Sequence, residues 1–261
     1  MKKTNRKVNL AERYAHRGYH DKPGIPENSM AAFRRAIEYG LASEIDVHLI
    51  ADGTLVVFHD DDLERETGVK GSIEAYDLTN LRKLRLEGTD ELIPTLDEVL
   101  ELYEDTGLAL LIELKSVGGN YRALAEAAAK RLDSYKGEYA VQSFDPRVLI
   151  AYRRLRPEVI RGQLAQNFYR SREGLPYYQV VMLSNLMMNI IAKPDFISYK
   201  YCDRDNFVLR HLVDRKGLPE TSWTLESADE YRGAVSAGSV PIFEQITPEE
   251  LKKLLREKGG R

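Results

Sequence analysis

Cysteine is almost missing: Cys202 is the only one in 261 residues. A disulfide framework needs pairs, so none forms within this chain, and a lone thiol suits a reducing compartment. A surplus of charge is missing too. Lys and Arg number 38 against 41 Asp and Glu, which leaves no basic field to attract nucleic acid. Long apolar runs are also absent. The longest, VVMLSNLMMNII, ends at Ile191 and falls far short of a membrane span. The start, MKKTNRKVNLAERY, has a basic flank but no apolar stretch behind it, so no secretory leader is read. No Gly/Ser linker, low-complexity tract or short-period repeat interrupts the chain. What remains is one α/β domain, residues 1–261, expected in the cytoplasm. Its 43% hydrophobic content is enough for a sizeable core.

Short β-rich runs alternate with helical patterns, which predicts parallel strands joined by helical crossovers. The strands are expected at Arg13–Ala15, Ser43–Ile50, Leu55–Phe58, Ala109–Leu114, Tyr139–Phe144, Val159–Leu164, Asp195–Tyr199, Glu220–Leu225 and Val240–Phe243. Helices are expected at Ser29–Tyr39, Thr95–Asp105, Tyr121–Ser134 and Pro146–Leu155. Thr95 and Glu98 have the spacing of a capping box, and Gly40 and Gly107 stand where helix ends need them. Only Ala51, Asp52, Gly53 and Thr54 separate Ile50 from Leu55, too few for a parallel crossover. Asp-Gly between β-rich runs signals a hairpin, so Leu55–Phe58 turns back antiparallel. Removing that arm leaves eight strands, the number that closes a (β/α)8 TIM barrel. A doubly wound open sheet is the alternative, but the first βα turn, His-Arg-Gly, lacks the G-x-G-x-x-G fingerprint.

The hairpin sets an expected register. With Asp52 and Gly53 as a two-residue loop, Asp46 opposes His59 and Glu44 opposes Asp61. Directly opposed side chains share a face with Cβ atoms roughly 5 Å apart. Glu44, Asp46 and His59 then become neighbours, and a slip of one residue would turn His59 away.

Chemistry-bearing residues collect at predicted strand ends, where barrels build their sites. His16 and Arg17 follow the first strand, and Glu113 and Lys115 end the third barrel strand. GIPENS (Gly24–Ser29) leads into the first helix. Glu44, Asp46 and Glu113 offer three hard oxygen donors and no thiolate, a set suited to Mg2+ or Ca2+, with Mn2+ acceptable. His16 and His59 have the chemistry of an acid–base pair near neutral pH. Arg17 and Lys115 bring cations to the same mouth, the arginine as a fork and the lysine as a point charge. Together these are the parts that phosphodiester cleavage requires.

The order HRG, PENS, E-x-D-V, DG-x-L-VV-x-HD-x-x-L-x-R-x-TG, IP-T-L-x-E-V-L and IELK resembles the glycerophosphodiester phosphodiesterase family. VQSFDP (Val141–Pro146) and SWTL (Ser222–Leu225) extend the likeness over nearly the whole chain. The resemblance implies a (β/α)8 barrel with a small insertion between barrel strands two and three, here residues 61–93. It implies His16 and His59 as acid and base, Glu44, Asp46 and Glu113 as ligands of a divalent metal, and Arg17 and Lys115 as phosphate contacts. It further implies a small-molecule glycerophosphodiester substrate, with sn-glycerol 3-phosphate and an alcohol as products. One departure concerns the last strand. Many family members close it on Gly-x-x-x-(Ile/Val)-x-Thr-Asp-x-Pro, whereas this chain reads GSVPIFEQITPEEL, with Glu244 near the position of that aspartate. The alcohol is left open, and so is the part played by the last loop.

Other residues carry milder readings. His48 shares the face of Asp46 and is expected to pack deeper in the barrel. His20 is read as a surface loop histidine, with a place lining the mouth as the alternative, and His211 as structural or exposed. Phe144 and Trp223, at strand ends, are expected to flank the glycerol moiety, with barrel packing as the plain alternative. LMMNII (Leu186–Ile191) is read as packed on the barrel wall, which does not favour membrane contact. The charged insertion is read as a mostly solvated cap. Two rival functions stand beside the first: lysophospholipase D-like hydrolysis of lysophospholipids, and a non-catalytic phosphodiester-binding module.

Overall fold

The computed structural model describes residues 8–172 and 174–258; the first seven residues, on which the leader reading partly rests, lie outside it. The strands are β1 (Tyr14–Ala15), β2 (Ala42–Leu49), β3 (Leu55–Val57), β4 (Leu110–Leu114), β5 (Tyr139–Ser143), β6 (Arg161–Ala165), β7 (Phe196–Lys200), β8 (Glu220–Leu225) and β9 (Val240–Phe243). Apart from β3, neighbours pair in parallel, and β1 pairs with both β2 and β9, which shuts the ring. The result is a (β/α)8 barrel.

Alternation along each stave divides its side chains between two layers. Tyr14, Ala42, Leu111, Ala140, Phe196 and Ile242 fill the barrel floor. Phe196 fits because its neighbour on β6 is Gly162, where a Cβ would fall 2.2 Å from the phenyl ring. On the outer face, Ile45, Val47, Ile112, Leu114 and Val141 pack under Leu96, Val99, Leu124, Ala128 and Val148 from the helices. Each large apolar side chain buried in this way contributes about 1.5–3 kcal/mol.

The helix ends follow local chemistry. Ser29 Oγ accepts the Ala32 N–H at the start of helix Met30–Glu38. Thr95 and Glu98 form the capping box of helix Leu96–Tyr103. Helix Pro146–Leu155 starts with Asp145 Oδ1 accepting the Arg147 N–H at 2.9 Å. Among the described residues, no helix is long and apolar enough to cross a membrane.

Four expectations are corrected. The hairpin exists, but its loop has three residues, Ala51 to Gly53, because the Ile50 N–H donates to Thr54 O at 3.0 Å. Val47 therefore opposes Val57, and His48 opposes Val56. The Phe58 N–H donates to Asp46 O, so Phe58, not His59, stands across from Asp46. Gly53, at φ 86, supplies the left-handed step that closes such a loop. His48 does not lie deeper in the barrel. It sits beyond Asp46 toward the mouth, fully buried under the insertion, with Nδ1 3.3 Å from Glu74 Oε1.

The insertion is not merely a solvated cap. Leu63, Ile73, Leu81, Leu86 and Ile93 form a buried core with Ile50, Val56 and Phe58 of the hairpin. The LMMNII run is split: Leu186 is buried, whereas Met187, Ile190 and Ile191 face outward. His211 is exposed, as expected.

Candidate active site

Three buried carboxylates floor a cup at the C-terminal mouth of the barrel. Glu44 and Asp46 are two apart on β2, so both point inward, and Glu113 pairs with Asp46 on the adjacent β4. One oxygen from each of the three lies within 4.8 Å of the others. Neighbouring side chains fix them. Gln142 Nε2 donates to Glu44 Oε1 at 3.1 Å, and Asn28 Nδ2 donates to Asp46 Oδ2 at 2.9 Å. Two cations balance part of the charge. Lys115 Nζ lies 3.2 Å from Glu113 Oε1 and 3.6 Å from Asp46 Oδ1, and Arg17 Nε lies 3.6 Å from Asp46 Oδ2.

Like charges in a buried site disfavour full ionisation. Burial, then Asp46 and Glu113, push the Glu44 carboxyl well above its ordinary range. Burial acts the same way on Asp46, but Lys115, His59 and Arg17 outweigh it and hold that carboxyl low. Three hard oxygen donors against two fixed cations leave room for a divalent ion, so the donor set fits one.

The histidines stand on the rim. His16 follows β1, and its Nδ1 lies 2.6 Å from Glu244 Oε2, just past β9. Burial and the adjacent Arg17 lower its pKa, with Glu244 opposing. His59 lines the same cup, with Nδ1 2.5 Å from Asp60 Oδ1. The slipped register does not turn it away, because His59 stands past the end of β3, where the strand pleat no longer sets direction. The first loop is held tightly. Arg17 adopts φ 53 and Gly18 φ 80, and a Cβ on Gly18 would meet Ala32 at 2.9 Å.

The space within the cup, counted out into open solvent, is about 350 Å³. Phe144 and Trp223 line it, with their rings edge-on at 5.6 Å. Trp223 Nε1 is buried without a partner among the described residues. Every residue expected at the site is therefore in or beside one cavity.

A model of the glycerophosphoryl diester phosphodiesterase family matches residues 16–244. The chain belongs to that family. A glycerophosphodiester phosphodiesterase of Caldanaerobacter subterraneus subsp. tengcongensis is 30% identical over 258 residues, covering 94% of this chain and 98% of its own. The structure of an Oleispira antarctica phosphodiesterase, in complex with the product sn-glycerol-3-phosphate, superimposes with a TM-score of 0.77 at 24% identity. That match covers 95% of this chain and 97% of the other. A Thermotoga maritima glycerophosphodiester phosphodiesterase gives 0.70 at 25% identity, covering 96% and 99%.

In this glycerophosphoryl diester phosphodiesterase family member, several residues that contact the site are not legible in the sequence. Asn28 and Glu27 lay inside GIPENS, but nothing in the motif told which acid or cation they would meet. Gln142 lay inside VQSFDP, where strand alternation would have turned it toward Glu44. Glu244 also lies 3.5 Å from His20 Nε2, which places the half-buried His20 beside His16 and bears out its alternative position. At the end of β7, Lys200 Nζ lies 5.9 Å from the Trp223 ring centre.

Proposed function

We propose that this cup hydrolyses glycerophosphodiesters to sn-glycerol 3-phosphate and an alcohol, using one divalent cation and two histidines. The observation that carries the reading is the pair of carboxylate-backed histidines, His16 and His59, around one acidic cup in a member of this family. Glu44, Asp46 and Glu113 would hold Mg2+, Ca2+ or Mn2+. When bound, the ion supplies positive charge that offsets the charge building on the phosphoryl oxygens. Arg17 and Lys115 bind the same phosphoryl group, and Phe144 and Trp223 flank the glycerol moiety.

The nucleophile, either water or the substrate's own glycerol hydroxyl, gives its proton to one imidazole; the hydroxyl route forms a cyclic phosphate, which water then opens to sn-glycerol 3-phosphate. The other imidazole, protonated, donates to the departing alkoxide. Because both Nδ1 atoms are turned to carboxylates, Nε2 is the working atom of each ring. The lone, exposed Cys202 supports a reducing compartment such as the cytoplasm as the setting.

Turnover of a panel of glycerophosphodiesters, with and without EDTA, tests the reading. Activity is expected to vanish in EDTA and return with Mg2+, Ca2+ or Mn2+. His16→Ala and His59→Ala should each lower kcat by about 10²–10⁴. Full activity in EDTA would remove the cation from the reading. A wild-type chain that binds the diesters without cleaving them would leave the non-catalytic module.

A second reading, lysophospholipids as substrate, is favoured by the exposed apolar side chains of Tyr177, Tyr178, Ile190 and Phe207. Sedimentation with lipid vesicles separates the two, since a water-soluble substrate requires no membrane binding.

A further inference from the structure

Arg65 belongs to a four-residue helix of the insertion, Glu64–Thr67, and none of the parts assigned above includes it. Its guanidinium nevertheless reaches both ends of the site. Nε lies 2.5 Å from Asp60 Oδ2 and Nη2 lies 3.0 Å from Asp60 Oδ1, a forked grip on the carboxylate that backs His59. The same Nη2 lies 2.7 Å from Glu27 Oε1, and that oxygen also takes Arg17 Nη1 at 2.6 Å. Nη1 is occupied by Glu66 Oε1. An unbroken line of charge-assisted contacts thus runs His59–Asp60–Arg65–Glu27–Arg17.

We propose that Arg65 is a positioning residue that sets the His59 ring and the Arg17 guanidinium together, so that proton transfer and phosphate binding share one support. This rests on the reading of His59 and Arg17 given above.

Two observations favour this over simple anchoring of the insertion. The insertion already has its own buried core and is tied down again by Lys22, whose Nζ lies 2.9 Å from Glu27, 3.2 Å from Glu66 and 2.5 Å from Glu87. Holding it in place needs no fork aimed at the carboxylate beside a histidine. The two carboxylates in the line are also kept ionised. Burial opposes ionisation at both, but His59 and Arg65 at Asp60, and Arg65, Arg17 and Lys22 at Glu27, hold them below the usual carboxylate range. An ionised Asp60 only accepts, so His59 Nδ1 carries the proton and Nε2 is left for the cup. A lysine at position 65 could keep the charge but could not grip both oxygens of Asp60 and reach Glu27.

The test compares wild type, Arg65→Ala, Arg65→Lys and Leu63→Ala, the last loosening the insertion core without touching the line. Arg65→Ala is expected to lower kcat roughly 10- to 100-fold and to raise KM, because both ends of the line are released. Arg65→Lys should recover little of the loss, and added guanidinium at sub-denaturing concentration should recover part of the Arg65→Ala loss. Proton NMR gives a readout independent of turnover. The low-field resonance of the His59 Nδ1–H, identified by its loss in His59→Ala, should disappear in Arg65→Ala and persist in Leu63→Ala.

Wild-type kcat and KM in Arg65→Ala would overturn the proposal. So would an equal kinetic loss in Leu63→Ala at matched thermal stability, or a low-field resonance that survives in Arg65→Ala. A wild-type chain without turnover would instead sink the functional reading, while the NMR comparison would still decide the geometry.

Discussion

A carboxylate that grips a histidine through Nδ1 decides which ring nitrogen faces the reacting atoms. Glu244 does this for His16 and also lies against His20, so one carboxylate serves two rings. Burial alone would raise its pKa, yet the hydrogen bond from His16 and then the nearby His20 ring hold it below the ordinary range. Removing the charge while keeping the shape therefore tests the pair. On the proposed role of His16, Glu244→Gln is expected to cost about tenfold or more in kcat with little change in KM, since it weakens proton transfer and not phosphate binding. Steady-state kinetics on a soluble diester gives the answer, and an unchanged kcat would mean that His16 needs no partner.

Among the elements, β6 and β7 show how tightly the barrel floor is fitted. Gly162 exists to admit the Phe196 ring, so Gly162→Ala should destabilise the fold by about 1–3 kcal/mol through overpacking. Adding Phe196→Leu should offset part of that loss, and urea midpoints for the two single variants and the double measure the coupling. The strands themselves were legible in the sequence, because β-rich runs alternate with capped helical patterns from Tyr14 to Phe243. The hairpin register was not. Asp52-Gly53 suits a two-residue loop and a three-residue loop equally, and only the Ile50–Thr54 contact chooses between them. His59 reached the cup anyway because it lies beyond the ladder, a freedom that alternation cannot express. The insertion core was hidden for another reason: helices of four residues, such as Leu78–Leu81, are too short to show a period. Residues of the site were legible where motifs carry them. The contact of Arg65 with Glu27 spans 38 positions, and no local pattern records it.

For the molecule as a whole, buried phenols set the alkaline limit of stability. Burial pushes Tyr14, Tyr19 and Tyr135 up to about 12, whereas an unfolded chain ionises its tyrosines near 10. Between those values the folded state binds more protons than the unfolded one. Stability from these groups is thus fully present below about pH 10 and is lost as pH rises toward about 12. Melting temperature should fall over that window, and tyrosinate absorbance of these three phenols should appear only with unfolding.

On the proposed role of His16, the ring of staves also ties activity to the completion of folding. His16 and Glu244 lie 228 positions apart, and the two-residue β1 is held only by β2 on one side and β9 on the other. The acids of β2 and β4 pair across the hairpin and the insertion, a shorter span than the one between His16 and Glu244. The His16–Glu244 pair forms only when the first stave is clasped by the last, which is the most distant and slowest kind of contact to make. Turnover is then a gauge of ring closure. During refolding it should return after the helical signal, so a chain that has regained its secondary structure but remains open would be inert.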